Sequence, residues 1–193
     1  MNILVVGGFL NSGKTSIILQ LLKYIIENSS NSKKIIILEN ELGKIAIDEN
    51  SRYVIEKIIT GCACCSTSEE MVNLISKDIK KYEPEWLILE ANGISIPENI
   101  RYTLKAALGL DSRLVFIADG QRWKRLKRAT GTLFADQIKG ADAVIINKKD
   151  LAGTDELNAE EADIRGMNET AAIYMLSAQD EIQEDICRQI LGW

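Results

Sequence analysis

The segment Gly8-Phe9-Leu10-Asn11-Ser12-Gly13-Lys14-Thr15 constrains this chain more than any other. It follows the apolar run Ile3–Val6 and opens a stretch of helical spacing. There Ile17, Ile18, Leu21, Leu22, Ile25 and Ile26 make one apolar stripe, while Gln20, Lys23, Tyr24 and Glu27 face elsewhere. The pattern GxxxxGK[ST] between a strand and a helix is a phosphate-cradling turn. Gly8 and Gly13 let the backbone wrap closely, so that its N–H groups face phosphate oxygens at a helix N-terminus whose dipole favours anions. Lys14, an exposed loop lysine by this reading, brings a point charge to the β- and γ-phosphates, and the Thr15 hydroxyl ligates Mg²⁺. Asn11, Ser12 and Ser16 complete the nucleotide-facing segment. The competing reading is a glycine-rich turn with a solvated lysine; the strand before it and the amphipathic helix after it weigh against that.

The alternation continues to the end of the chain. Ile35–Leu38, Trp86–Leu89, Leu114–Ala118, Ala143–Ile146 and Ala171–Leu176 have the length of strands buried on both faces, and Val54–Ile59 adds one beside Ile35–Leu38. Helical stretches separate them, and a closing helix is expected over Asp180–Leu191. This predicts an α/β fold with a mostly parallel sheet and helices on both faces, and with the phosphate turn, a P-loop NTPase. Two prolines and no Gly/Ser tract leave no linker, so residues 1–193 are expected to form a single domain.

Composition narrows the chemistry. A net charge of -5 disfavours nucleic acid and anionic membranes as partners. Histidine is absent, which excludes Ser-His-Asp and Cys-His nucleophiles and histidine zinc centres. No basic leader precedes the first strand, and no apolar run approaches the roughly 18 residues of a membrane span; a cytoplasmic protein is expected.

Asn147-Lys148-Lys149-Asp150 follows the run Ala143–Ile146, at a strand end where a base can lie. It resembles the NKxD signature of P-loop GTPases. Asp150 supplies the chemical reason, since a carboxylate accepts from guanine N1–H and its exocyclic amine and adenine offers no equivalent donor pair. Glu90 ends the buried run WLILE, the position from which acidic residues hold the water shell of Mg²⁺. The basic run Arg122–Arg128 reads as a solvated helix face, with Trp123, Leu126 and Ala129 on its inner side, or else as a protein-docking patch.

Cys62, Cys64 and Cys65 fall within four positions. On a loop three thiolates converge on one cation and leave a tetrahedral position open, which suits a site that accepts and releases metal. Thiolates prefer Zn²⁺, Cu(I) and related ions over Mg²⁺. Apolar packing, a redox couple and a structural zinc are the competing readings. Cys187, on the final helix, reads as core. Glu41 and Asp48 are carboxylates of the preceding segment, and composition alone allows them to be solvated charges.

Together these motifs resemble the CobW/HypB/UreG family of metallochaperone-type GTPases. The resemblance runs from Met1 to about Leu151 and rests on GGFLNSGKTS, on Glu39-Asn40-Glu41-Leu42-Gly43 leading to Ile47-Asp48, and on Gly61-Cys62-Ala63-Cys64-Cys65, which matches the GCxCC motif of the CobW branch. It also rests on Glu90-Ala91-Asn92-Gly93, similar to the family's ExxG segment, and on Phe134…Gln137…Ala141-Asp142 leading to the guanine loop. The resemblance implies GTP hydrolysis coupled to delivery of a transition metal, zinc ahead of cobalt or nickel. Lys14, Asp48 and Glu90 then serve catalysis, Gly93 joins the nucleotide site, and Glu41 joins the three cysteines as a metal ligand. It implies a client metalloprotein or metal-cofactor assembly enzyme and a GTP-dependent homodimer. Neither the C-terminal domain nor the histidine-rich stretch common in CobW-like proteins is expected here, and in that the chain resembles HypB and UreG. A P-loop small-molecule kinase and a regulatory GTP-binding module without metal transfer are the alternatives.

Overall fold

A computed structural model describes residues 1–29, 34–39, 53–57 and 67–193. Seven strands form one sheet: β1 (Asn2–Gly8), β2 (Ile35–Glu39), β3 (Tyr53–Lys57), β4 (Trp86–Glu90), β5 (Arg113–Asp119), β6 (Ala143–Asn147) and β7 (Ala172–Met175). Their order is β3-β2-β4-β1-β5-β6-β7, and every neighbouring pair is parallel. Each predicted strand is present, including the one beside β2.

The apolar runs sort residue by residue onto two faces, as the period of a pleated strand requires. Leu4, Val6, Ile35, Ile37, Ile88, Val115, Ile117 and Ile145 pack under Ile17, Leu21 and Ile25 of α1 (Lys14–Asn28) and under Cys187 and Ile190 of α7 (Glu184–Leu191). Ile3, Val5, Ile36, Leu38, Leu87, Phe116, Val144 and Ile146 face the other way. They are covered by α2 (Thr67–Tyr82), α3 (Pro97–Leu108), α4 (Trp123–Thr130), α5 (Thr132–Ile138) and α6 (Thr154–Met167). A sheet sealed on both faces explains why its strands read as unbroken apolar runs.

The chain leaves β1 toward β2 on one side and returns from β4 to β5 on the other. The strand order therefore reverses at β1, and its C-terminal end is the switch point at which α/β sheets open a crevice for ligands.

Two expectations are corrected. The closing helix begins at Glu184, not Asp180. The carbonyl of Asp180, which a helix starting there would bond to the N–H four residues on, instead accepts from Gln20 Nε2, and the N–H of Ile182 donates to Gln20 Oε1. Tyr24, set apart from the apolar stripe by its spacing, is buried too, with its ring against Trp193, which in turn packs on Trp86.

Candidate functional site

The phosphate turn closes between β1 and α1 in the conformation that its glycines allow. Gly8 and Gly13 have φ of 140° and 95°, a region that side chains other than glycine rarely adopt. A Cβ at Gly13 would also fall on the amide nitrogen of Asn147. Phe9 pins the turn from below: it is buried, stacks on Phe134 at 5.4 Å and meets Phe116 edge-on at 6.2 Å. Leu10, next to it, is exposed.

Lys14 is not an exposed loop side chain. It is 3% accessible, and its Nζ donates to the carbonyl oxygens of Gly8 at 3.1 Å and Phe9 at 3.3 Å. The turn curls around its own lysine because the first residue of α1 projects back across the loop. Ser12 is buried, with a hydroxyl that has no hydrogen-bond partner among the described residues, and Ser16 is half-buried in the first turn of α1.

Thr15 Oγ1 donates to both carboxylate oxygens of Glu90, at 3.1 and 3.2 Å. Glu90 is buried at the end of β4, in register with Val6 of β1 and Glu39 of β2. A hydroxyl and a carboxylate in contact beside a phosphate turn form a hard oxygen donor set, which fits Mg²⁺ and not a thiophilic ion.

The guanine-type loop is tied directly to the phosphate turn. Asn147, almost fully buried, donates from Nδ2 to the Ser12 carbonyl at 2.8 Å. Its Oδ1 accepts from the N–H of Lys148 at 2.8 Å and from that of Ala178 at 2.9 Å. Lys148 has a left-handed φ of 65°, and its Nζ donates to the Asn11 carbonyl and to Asp119, both at 2.7 Å. Asp150 lies exposed in the short 3₁₀ turn Lys149–Leu151.

Asp119 is a site residue that the sequence reading missed. It ends β5 in register with Asn147 and is fully buried. Arg122 also donates to it at 2.7 Å, and to the Leu10 carbonyl at 2.7 Å. Burial pushes its carboxyl up, but the hydrogen bonds from Lys148 and Arg122 outweigh that and hold it below the ordinary carboxylate value. One buried carboxylate thus anchors two cations that both reach the tip of the phosphate turn. The run Leu114–Ala118 is followed directly by this acidic residue, just as Trp86–Leu89 is by Glu90.

The basic run around Arg122 divides in the same way. Trp123 is buried, Lys127 pairs with Asp163 at 2.8 Å and Lys124 with Glu156 at 3.7 Å, so its charges serve α6 as well as solvent. Ala129, expected on the inner side, is exposed. Gln137 does not reach the guanine loop; its Nε2 donates to the carbonyls of Gly93 at 3.0 Å and Ser95 at 2.9 Å, fixing the loop after Glu90. Glu41, Asp48, Cys62, Cys64 and Cys65 lie outside the described residues.

Residues 2–175 match the family model described as CobW/HypB/UreG, nucleotide-binding domain. Among curated proteins the chain is similar to the zinc chaperone YeiR of Escherichia coli, at 31% identity over 75% of this chain and 45% of that protein. It spans about half the length of the curated relatives it matches. Among solved structures it resembles Zn(II)-bound YjiA GTPase from E. coli, with a TM-score of 0.68 and 20% identity over 100% of this chain and 62% of that one. It also resembles the hydrogenase maturation factor HypB from Archaeoglobus fulgidus, with a TM-score of 0.65 and 18% identity over 99% and 90% of the two chains. These likenesses agree with a P-loop NTPase fold, and the match over residues 2–175 carries the assignment: the chain belongs to the CobW/HypB/UreG family.

Proposed function

We propose that this chain binds and hydrolyses GTP and couples its nucleotide state to delivery of a transition metal, zinc ahead of cobalt and nickel, to a client metalloprotein or metal-cofactor assembly enzyme. The observation that carries the nucleotide half is the joining of phosphate turn and guanine-type loop through Asn147 and Lys148, with Thr15 and Glu90 paired at the phosphate end. Catalysis in such a site is positioning and charge neutralisation. Backbone N–H groups of Gly8–Thr15 and the Lys14 ammonium would hold the triphosphate, and Thr15 and Glu90 would hold Mg²⁺. Bound there, Mg²⁺ would supply neutralisation of the phosphate charge. Asp48 orients the attacking water, Gly93 lies at the γ-phosphate end, and a GTP-dependent homodimer completes the assembly. Neither nucleic acid nor a membrane takes part.

Asp150 is the reader of the base. Asp150→Asn is expected to weaken GTP binding about 10- to 150-fold, the worth of a charge-assisted hydrogen bond, and to shift preference toward xanthosine triphosphate. Competition binding with GTP, xanthosine triphosphate and ATP checks this. A wild-type protein that binds ATP as well as GTP would remove the guanine assignment.

The cargo half rests on Cys62, Cys64 and Cys65, with Glu41 as a further ligand. Glu39 and Lys57, which precede the two segments carrying these residues, are register partners at the same end of adjacent strands, and Glu39 is also in register with Glu90. The chain therefore leaves both strands at the end of the sheet where Glu90 lies. Linkage then requires GTP and the cargo metal to change each other's affinity by one common factor, typically about 5- to 150-fold. Zinc titrations in the presence of GDP and of a non-hydrolysable GTP analogue measure that factor. Affinity is expected to fall as pH drops, since the metal takes thiolates. A Cys62/Cys64/Cys65→Ser variant is expected to bind GTP normally and lose both metal and coupling. Equal zinc affinities in the two nucleotide states would leave a GTPase with an incidental metal site.

A further inference from the structure

Gln20 makes three hydrogen bonds, all to the backbone of the loop between β7 and α7. Its Nε2 donates to the carbonyls of Ala178 at 3.0 Å and Asp180 at 2.9 Å, and its Oε1 accepts from the N–H of Ile182 at 2.8 Å. Two donors and an acceptor at that reach are what a glutamine amide supplies and a lysine, glutamate or methionine does not. The loop has a second attachment, the Ala178 N–H on Asn147 Oδ1, and Asn147 in turn bonds the Ser12 carbonyl. A closed circuit results: phosphate turn, Asn147, Ala178, Gln20, and back along α1 to Lys14.

Apolar packing also joins this loop to α1, since Ile182 is buried in the cluster that holds Ile17, Leu21 and Tyr24, but Gln20 supplies the hydrogen bonds that fix its backbone. A cavity of about 520 Å³ opens between them, lined by Gln20, Tyr24, Ile182 and Cys187 among others. The Lys23–Glu181 pair at 2.6 Å is exposed on both sides, the kind of contact that contributes little. Within the loop, Asp180 N–H bonds the Ser177 carbonyl, a turn that survives whatever the loop's position over α1.

We propose that Gln20 is a positioning residue for base selectivity, holding the Ala178–Ile182 loop against Asn147 so that one wall of the base site is fixed from the phosphate-binding helix. The proposal rests on the reading of Asn147–Asp150 as the guanine site. It separates two parts of nucleotide affinity: Gln20 acts on the base, while the phosphate turn keeps its own contacts.

The test uses Gln20→Met, similar in length and apolar, with Gln20→Glu as a second variant that keeps the acceptor and loses both donors. Dissociation constants are measured for GDP, ADP and inorganic tripolyphosphate. Either folded variant is expected to lose about 10-fold in its preference for GDP over ADP, the scale of one net hydrogen bond, while tripolyphosphate affinity stays within about twofold of wild type. An unchanged GDP preference in a folded variant overturns the role of Gln20 and leaves the guanine site intact. Equal loss for GDP, ADP and tripolyphosphate overturns it as well, because the effect is then general loosening. A wild type that does not tell GDP from ADP removes the guanine reading and this proposal with it.

Discussion

Lys14→Ala is expected to lower phosphate release from GTP by at least about 10²-fold, the scale on which one preorganised charge-stabilising group acts in a transition state. Its Nζ already lies within the turn, bonded to the Gly8 and Phe9 carbonyls, so the charge is in place before nucleotide arrives and little reorganisation remains. The fold should survive. Among the described residues alanine removes two hydrogen bonds worth about 1–2 kcal/mol, against a core that spans both faces of a seven-stranded sheet. Phosphate release and circular dichroism on the same preparation separate the two effects. A folded variant with unchanged release would take Lys14 out of its assigned role, and a phosphorylated acceptor in place of free phosphate would mark a kinase instead.

The parts of this molecule that were legible beforehand share one property: their chemistry is local in sequence. Strand runs such as Trp86–Leu89 and the stripe Ile17–Ile26 declare themselves by spacing, because burial on two faces or one imposes a period. Gly8–Thr15 and Asn147–Asp150 declare themselves because a phosphate or a base must be met by adjacent backbone and side-chain groups. Arg122, Gln137 and Gln20 were not legible in these roles. Each acts by bonding to the backbone of a loop distant in sequence, and nothing near Gln20 announces that Ile182 will be its partner. The same blindness set Tyr24 apart from the apolar stripe, since its cover includes the distant Trp193. It also extended the last helix over Asp180 and Ile182, whose backbone groups are used elsewhere. Local patterns gave the site its chemistry, and long-range hydrogen bonds give it its rigidity.

Glu160 makes the stability of this chain depend on pH in a way that few proteins allow to be isolated. It lies in the middle of α6, fully buried, and neither carboxyl oxygen has a hydrogen-bond partner among the described residues. Burial, with the nearby carboxylates of Asp119 and Asp163 adding to it, pushes its pKa from an ordinary 4.5 up to about 8. The folded chain therefore keeps a proton between these values that the unfolded chain releases. Its contribution to stability is fully present below about pH 4.5 and is lost as pH rises toward 8, by about 5 kcal/mol over the whole interval at 1.36 kcal/mol per pH unit. Ordinarily histidines would titrate in the same window and blur the slope, but this chain has none. In a chain of 193 residues, 5 kcal/mol corresponds to a fall of about 10–20 °C in melting temperature. Glu160→Gln keeps the shape and removes the titration, so its melting temperature should change little between pH 5 and 8 and should exceed that of wild type at pH 8. Melting curves of both proteins across that range decide the matter. Parallel curves would mean that Glu160 finds a compensating charge when it ionises. A steep wild-type slope that Glu160→Gln abolishes would mean that the helix beside the Asp119 anchor carries a neutral acid at physiological pH. Asp119 would then remain the charge to which Lys148 and Arg122 are fastened.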